Sequence, residues 1–306
     1  MAVSIENLPT ELFDPLAPSP FREIHMTTRD GLSLAGRVYE PLGPLVGGVL
    51  IAPAMAVPQR FYEAFASHLA SQGFLTLTFD YRGMGDSRPR KTSLRRVETN
   101  ILIWAGHDLA TALDELKRRV GARPITWVGH SLGGQVLPLV PNHHLIDKVI
   151  TVATGSGYWR QNARPLRRKV PLFWFGFVPV LTPLFGYFPG ARLGMVGDLP
   201  RGVIQQWRQW CLHPDYLVGV LGQDVRDRYA SFGVPMTSLL ATDDEMMSAE
   251  NIASMHSFYV EAQPKMVRLS PEDLGAKRIG HFGFFKPSMR EVLWDRYLLP
   301  ELATQR

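Results

Sequence analysis

Apolar and polar residues alternate from Phe21 to Glu40, broken only at Arg29-Asp30-Gly31, and this predicts a β-hairpin turning at those three residues. Gly47 to Ala52 (GGVLIA) is a short, wholly apolar run, the pattern of a strand covered on both faces. Phe61 to Gln72 then changes to helical spacing and stops at Gly73, which suits a left-handed cap. Phe74 to Asp80 is the next strand. Thr99 to Val120 is a long amphipathic helix closed by Gly121, and Ile125 to Gly129 is a strand that runs straight into Ser131 and a new helix. Lys148–Ala153, Pro235–Ala241 and Lys265–Leu269 complete the strands, with a helix over Ser248–Ala262.

Strands alternating with helices require crossover connections, so the fold class is α/β with a mostly parallel central sheet flanked by helices. The stretch from Ala153 to Pro235 breaks that rhythm. Its Tyr158–Trp210 part carries 11 of the chain's 32 aromatic residues, too many for a loose loop. It predicts a mainly helical cap inserted in the core, with the core at 1–154 and 232–306 and the cap or lid at 155–231. Val170 to Ala191 holds no charged residue over 22 positions, a length that could span a membrane. Pro171, Pro179, Pro183 and Pro189 interrupt it, so an apolar lid over a pocket is the preferred reading. Peripheral contact with a membrane surface through 160–190 is the alternative, because Arg160, Arg164, Arg167, Arg168 and Lys169 precede the run.

With 306 residues the chain is long enough to bury a core without disulfides. A single cysteine, Cys211, excludes a disulfide framework and multi-cysteine metal sites; it reads as a small buried hydrophobe. The net charge of +5 is uneven: Tyr158–Trp210 has eight basic residues against Asp198 alone, and the remainder is slightly acidic. That distribution does not point to nucleic acid as a partner. Met1–Asn7 has no basic region followed by an apolar run, so the expectation is a cytoplasmic protein without a signal peptide.

The sharpest chemical signal is Gly129-His130-Ser131-Leu132-Gly133, a Gly-x-Ser-x-Gly placed between a strand and a helix. A serine on so sharp a turn takes a strained backbone, and flanking glycines leave room for it. The helix opening at Leu132 aims free N–H groups toward a developing oxyanion.

These residues resemble the α/β-hydrolase family of serine hydrolases, and the likeness extends from about Phe21 to the C-terminus. Within that family the chain resembles predicted bacterial hydrolases of the serine aminopeptidase and monoacylglycerol lipase branch. Besides GHSLGG it rests on Asp80-Tyr81-Arg82-Gly83-Met84-Gly85-Asp86-Ser87, on Thr242-Asp243-Asp244-Glu245 after a late strand, and on Ile279-Gly280-His281-Phe282-Gly283 near the end. The resemblance implies Ser131 as nucleophile, His281 as general base and then acid, and Asp244 as the acid that orients His281. Asp243 is the alternative acid; the residue not facing His281 would cap the Ser248–Ala262 helix. The second oxyanion donor should follow the GGVLIA strand. The family usually has His-Gly there, whereas this chain has Ala52-Pro53-Ala54-Met55; proline lacks an N–H, leaving Ala54 or Met55 to pair with Leu132.

The implied activity is cofactor-independent cleavage of an ester or thioester, with a hydrophobic acyl group favoured by the aromatic cap. Acyl transfer and amide or peptide cleavage are alternatives on the same residues, and a ligand-binding protein without turnover is an alternative of another class. No metal is expected: His143-His144 lacks accompanying carboxylate or cysteine ligands and reads as a solvated turn. His107-Asp108 reads as surface or packing, and His130 as packing beside the turn.

Overall fold

The computed structural model describes residues 21–89, 91–195 and 197–303. The expectation for Met1–Asn7 lies outside these residues. Among the described residues ten strands run β1 Phe21–Thr27, β2 Ser33–Tyr39, β3 Gly47–Ala52, β4 Phe74–Phe79, β5 Ile125–His130, β6 Lys148–Val152, β7 Tyr187–Phe188, β8 Leu199–Pro200, β9 Met236–Ala241 and β10 Lys265–Leu269. Eight of them form one sheet in the order β1-β2-β4-β3-β5-β6-β9-β10. β2 is antiparallel to both β1 and β4, and every other pair is parallel.

The parallel strands are covered on both faces, which their near-continuous apolar sequences require: β3, β4, β5 and β9 are buried at every residue. Side chains alternate between two cores as the pleat demands. Leu50, Ala52, Ile125 and Trp127 join the core under the 101–120 helix, while Val49, Ile51 and Val128 join the one under Glu63–Ser71 and the C-terminal helix. β3 has β4 on one side and β5 on the other, so the chain reverses direction across the sheet between them. A crevice opens at the carboxyl ends of strands at such a point. Ala52 and Gly129 stand opposite each other there, one residue short of Pro53 and two short of Ser131.

The Asp80–Ser87 motif is structural. Asp80, at the end of β4, accepts hydrogen bonds from the Gln59 and Asp86 N–H groups, and Gly85 (φ +42°) passes so close that a Cβ there would lie 2.2 Å from the carboxylate. Arg82 binds both Asp30 in the hairpin turn and the fully buried Asp108. The His107-Asp108 pair thus divides: Asp108 is packing, locked to a buried guanidinium, and His107 lies half-exposed beside Asp30.

Between β6 and β9 come a continuous 164–185 helix, the small antiparallel β7–β8 ribbon, and helices Arg201–Leu212, Tyr216–Leu221 and Gln223–Ala230. Val170, Trp174 and Val178 turn inward from the first of these onto the core that also holds Trp210 and Tyr216. Residues 173–177 form a π-turn, a widening that accompanies the prolines at 171 and 179. Cys211 is buried in this core, and burial pushes its thiol far above the ordinary range, so it is no nucleophile. The helix expected over Ser248–Ala262 covers only Ala249–His256; beyond it the chain turns so that the Glu261 N–H reaches the Ala230 carbonyl.

Candidate active site

Ser131 sits between β5 and a short helix, Leu132–Gln135, with φ 49° and ψ −111°. A non-glycine residue in that region is strained by about 1–3 kcal/mol and is held there only by its surroundings. Three glycines permit the turn. A Cβ at Gly129 would lie 2.6 Å from Gly134 Cα, one at Gly133 would lie 2.1 Å from the Ala52 carbonyl oxygen, and one at Gly134 would lie 2.3 Å from Thr154 Oγ1. The Ser131 N–H donates to the Val152 carbonyl, and the Trp127 indole donates to the Gly133 carbonyl, fixing the turn from both sides. The Ser131 hydroxyl itself makes no hydrogen bond to any described residue.

Asp244 and His281 are brought together. His281 Nδ1 donates to Asp244 Oδ2 at 2.8 Å, and both side chains are buried. The other Asp244 oxygen accepts the Met246 and Met247 N–H groups, so the carboxylate is oriented by its own turn. A proton on Nδ1 leaves the lone pair of His281 on Nε2. Desolvation alone would lower the basicity of this ring, but Asp244 and the nearby Glu245 outweigh it, and the net shift is above imidazole's ordinary 6.5.

Asp243 does not face His281 and does not cap a helix, which corrects the second part of the sequence expectation. Its two oxygens accept the Ile279 and Gly280 N–H groups at 3.0 and 2.9 Å, and Glu245 Oε2 accepts the His281 N–H at 3.1 Å. Three consecutive acids therefore grip three consecutive backbone donors and the ring between them. The helix cap is Ser248, in a reciprocal capping box with Asn251. Gly280 takes φ +62°, and a Cβ there would meet Glu245 at 2.6 Å.

The turn after β3 differs from expectation at one donor. The Ala54 N–H is already given to Tyr62 Oη at 3.0 Å, which leaves Met55, whose N–H donates to no described residue. The Val57 N–H bonds back to the Ala54 carbonyl, Ala56 takes φ 59°, and Tyr81 Oη donates to the Pro53 carbonyl, so the turn is held at several points. Leu132 opens its helix and so has no intrahelical acceptor for its N–H.

His130 is more than packing. Its Nε2 lies 3.0 Å from the His281 carbonyl, which can only accept, so Nε2 carries the proton. Burial, reinforced by His281, holds this imidazole well below its ordinary range, so it is neutral and Nδ1 accepts. Tyr62 Oη, 2.9 Å from Nδ1, must then be the donor. One unbroken chain runs from the Ala54 N–H through the Tyr62 hydroxyl and the His130 ring to the backbone of His281. Tyr62 was not singled out in the sequence, where nothing marks it as different from other buried tyrosines. The His143-His144 pair forms a one-turn helix, with His143 Nδ1 bonded to the Val140 carbonyl, and among the described residues no group of three or more His, Cys, Asp or Glu could hold a metal ion.

This frame, a parallel sheet with a serine on a sharp turn after its fifth strand, is that of a hydrolase. The chain belongs to the alpha/beta hydrolase family, whose sequence profile matches residues 49–289. No curated protein sequence matches it. Among solved structures it is similar to the esterase domain of a Rhodothermus marinus protein (17% identity, TM-score 0.56, 89% of this chain and 95% of that one). It is also similar to a Pyrococcus furiosus esterase (16%, 0.53, 89% and 87%) and to a membrane phospholipase A described as a bacterial virulence factor (14%, 0.60, 94% and 88%).

Proposed function

We propose that the protein is a serine hydrolase that cleaves a carboxylic ester or thioester with a hydrophobic acyl group through Ser131, His281 and Asp244. The observation that carries the reading is the buried His281–Asp244 pair, which leaves Nε2 as the free base on the sheet end that presents the strained Ser131. Ser131 Oγ attacks the carbonyl carbon while its proton passes to His281 Nε2, and the resulting oxyanion accepts from the Leu132 and Met55 N–H groups. His281 returns the proton to the leaving alcohol or thiol, giving an acyl-serine. Water, deprotonated by the same nitrogen, releases the acid and restores Ser131. The apolar surroundings of this end, Met55, Ala56, Leu132 and Val136, belong to a core against which Trp159 and Met195 also pack, and they favour an acyl chain over a charged group.

Labelling with a fluorophosphonate probe tests the reading. The adduct is expected on Ser131, mapped by peptide mass, and lost in both Ser131→Ala and His281→Ala. A folded protein that takes up no probe overturns it and favours a binding role instead.

The pH profile gives a second expectation. The base must be neutral, so kcat/KM is lost as pH falls through the raised pKa of His281, and the acid limb lies above 6.5. Glu245→Gln removes one of the charges that raise this pKa while keeping an acceptor for the His281 N–H. Its acid limb is expected at lower pH than that of the wild type, and an unmoved limb would remove Glu245 from the account.

A further inference from the structure

We propose that the 164–185 helix docks the protein on an anionic lipid surface. The helix has two faces of different use. Val170, Trp174, Val178 and Thr182, spaced four residues apart, turn inward and are at most 5% exposed. Leu172, Phe175, Val180 and Leu184 turn outward and are 61%, 55%, 62% and 68% exposed, with Pro179 and Pro183 exposed between them. These are among the most exposed large apolar side chains of the described residues, and they share one helix. An apolar stripe left open in this way marks a surface that is covered in use.

Charge says by what. The first turns of the same helix present Arg164, Arg167, Arg168 and Lys169 to solvent, and none of them forms an ion pair with a carboxylate of the described residues. The sequence contains no Asp or Glu between Asp147 and Asp198, so the segment itself supplies no acid to neutralise them. Where the basic turns meet the apolar stripe, Arg160 stacks on Trp159, whose ring stands edge-on to Phe175 at 6.2 Å. A tryptophan between cationic and apolar side chains is suited to the headgroup level of a bilayer, with the cations among anionic headgroups and the stripe among acyl chains. A second copy that met this face with its own 160–190 segment would offer only the same cations and the same apolar side chains, whereas an anionic bilayer supplies both complements. No described helix is long and apolar enough to cross a membrane, so the geometry is that of a helix lying on the surface.

Docking does not require turnover, so it is read in Ser131→Ala protein, by co-sedimentation with vesicles of phosphatidylcholine alone and with one quarter phosphatidylserine. Binding is expected on the anionic vesicles only, weakening as salt rises from 0.1 to 0.5 M. Arg164→Gln/Arg167→Gln/Arg168→Gln should lower the partition coefficient on the order of 100-fold, about 5-fold for each charge. Val180→Ser/Leu184→Ser should also lower it, at any salt concentration. All five positions are exposed, and unchanged thermal melts will show that both variants remain folded. Equal binding to neutral vesicles, binding indifferent to both variants, or no binding overturns the proposal. So does a concentration-dependent dimer that Leu184→Glu disperses without any vesicle binding, which would assign the face to a second copy.

Discussion

Asp244→Asn is expected to lower kcat on a p-nitrophenyl ester about 10⁴-fold, the size of effect seen when the orienting acid of a serine–histidine pair loses its charge. The structure gives a specific route to that loss. Oδ1 of Asp244 accepts two backbone N–H groups, from Met246 and Met247. An asparagine must keep its only acceptor oxygen there, which forces its amide nitrogen, a donor, toward His281 Nδ1. The ring then holds a lone pair at Nδ1 and its proton at Nε2, and Ser131 has lost its base. Asp243→Asn is the matched control. It loses one of two acceptors for the Ile279 and Gly280 N–H groups and loosens the histidine turn without reversing the tautomer, so a decrease of about 10-fold, and no more than 100-fold, is expected. If the two variants exchange places, the acid has been assigned to the wrong residue.

The sheet and the serine turn were legible because their signals are local. The apolar run GGVLIA and the pentapeptide around Ser131 each lie within one strand or one turn, and period and glycine placement suffice to read them. The residue pair at 243–244 was legible only in part. The preference for Asp244 came from resemblance, and the role of Asp243 was misread because its partners, Ile279 and Gly280, lie 36 and 37 residues away. The 248–262 helix was assigned too much length; past its end at His256 the chain instead bonds, through the Glu261 N–H, to Ala230 in another segment. Ala54 looked as free as Met55 because nothing near either residue announces Tyr62. The two faces of the 164–185 helix were hidden for a different reason: with no charged residue from Val170 onward, periodicity could not distinguish the side that packs on Trp207 from the side left open.

Tyr62→Phe carries the other large expectation, because it removes one hydroxyl and orphans two buried groups. The Ala54 N–H loses its acceptor, and His130 Nδ1 loses its donor in a site where tyrosine and histidine alike are inaccessible to solvent. Each unsatisfied buried group costs about 1–3 kcal/mol, so a destabilisation of roughly 2–5 kcal/mol is expected. At about 2–4 °C per kcal/mol for a large domain, Tm should fall by roughly 4–20 °C. A loss of packing alone would stop there. The hydroxyl, however, also pins the turn that presents the Met55 N–H, and removing an oxyanion donor outright costs about 10²–10³ in kcat. A donor that is merely loosened should cost part of that, about 10–100-fold in kcat at constant KM, measured well below the new Tm. The double variant with His130→Phe distinguishes the connected chain from two separate contacts. Once both ring partners are gone, the second substitution has less left to break, and the two effects should fall short of additivity by about 0.5–3 kcal/mol. Strict additivity would mean that Tyr62 and His130 act apart. In that case the Ser131 turn and the Ala54–Met55 turn would be held independently, and His130 would return to the packing role its sequence position suggested.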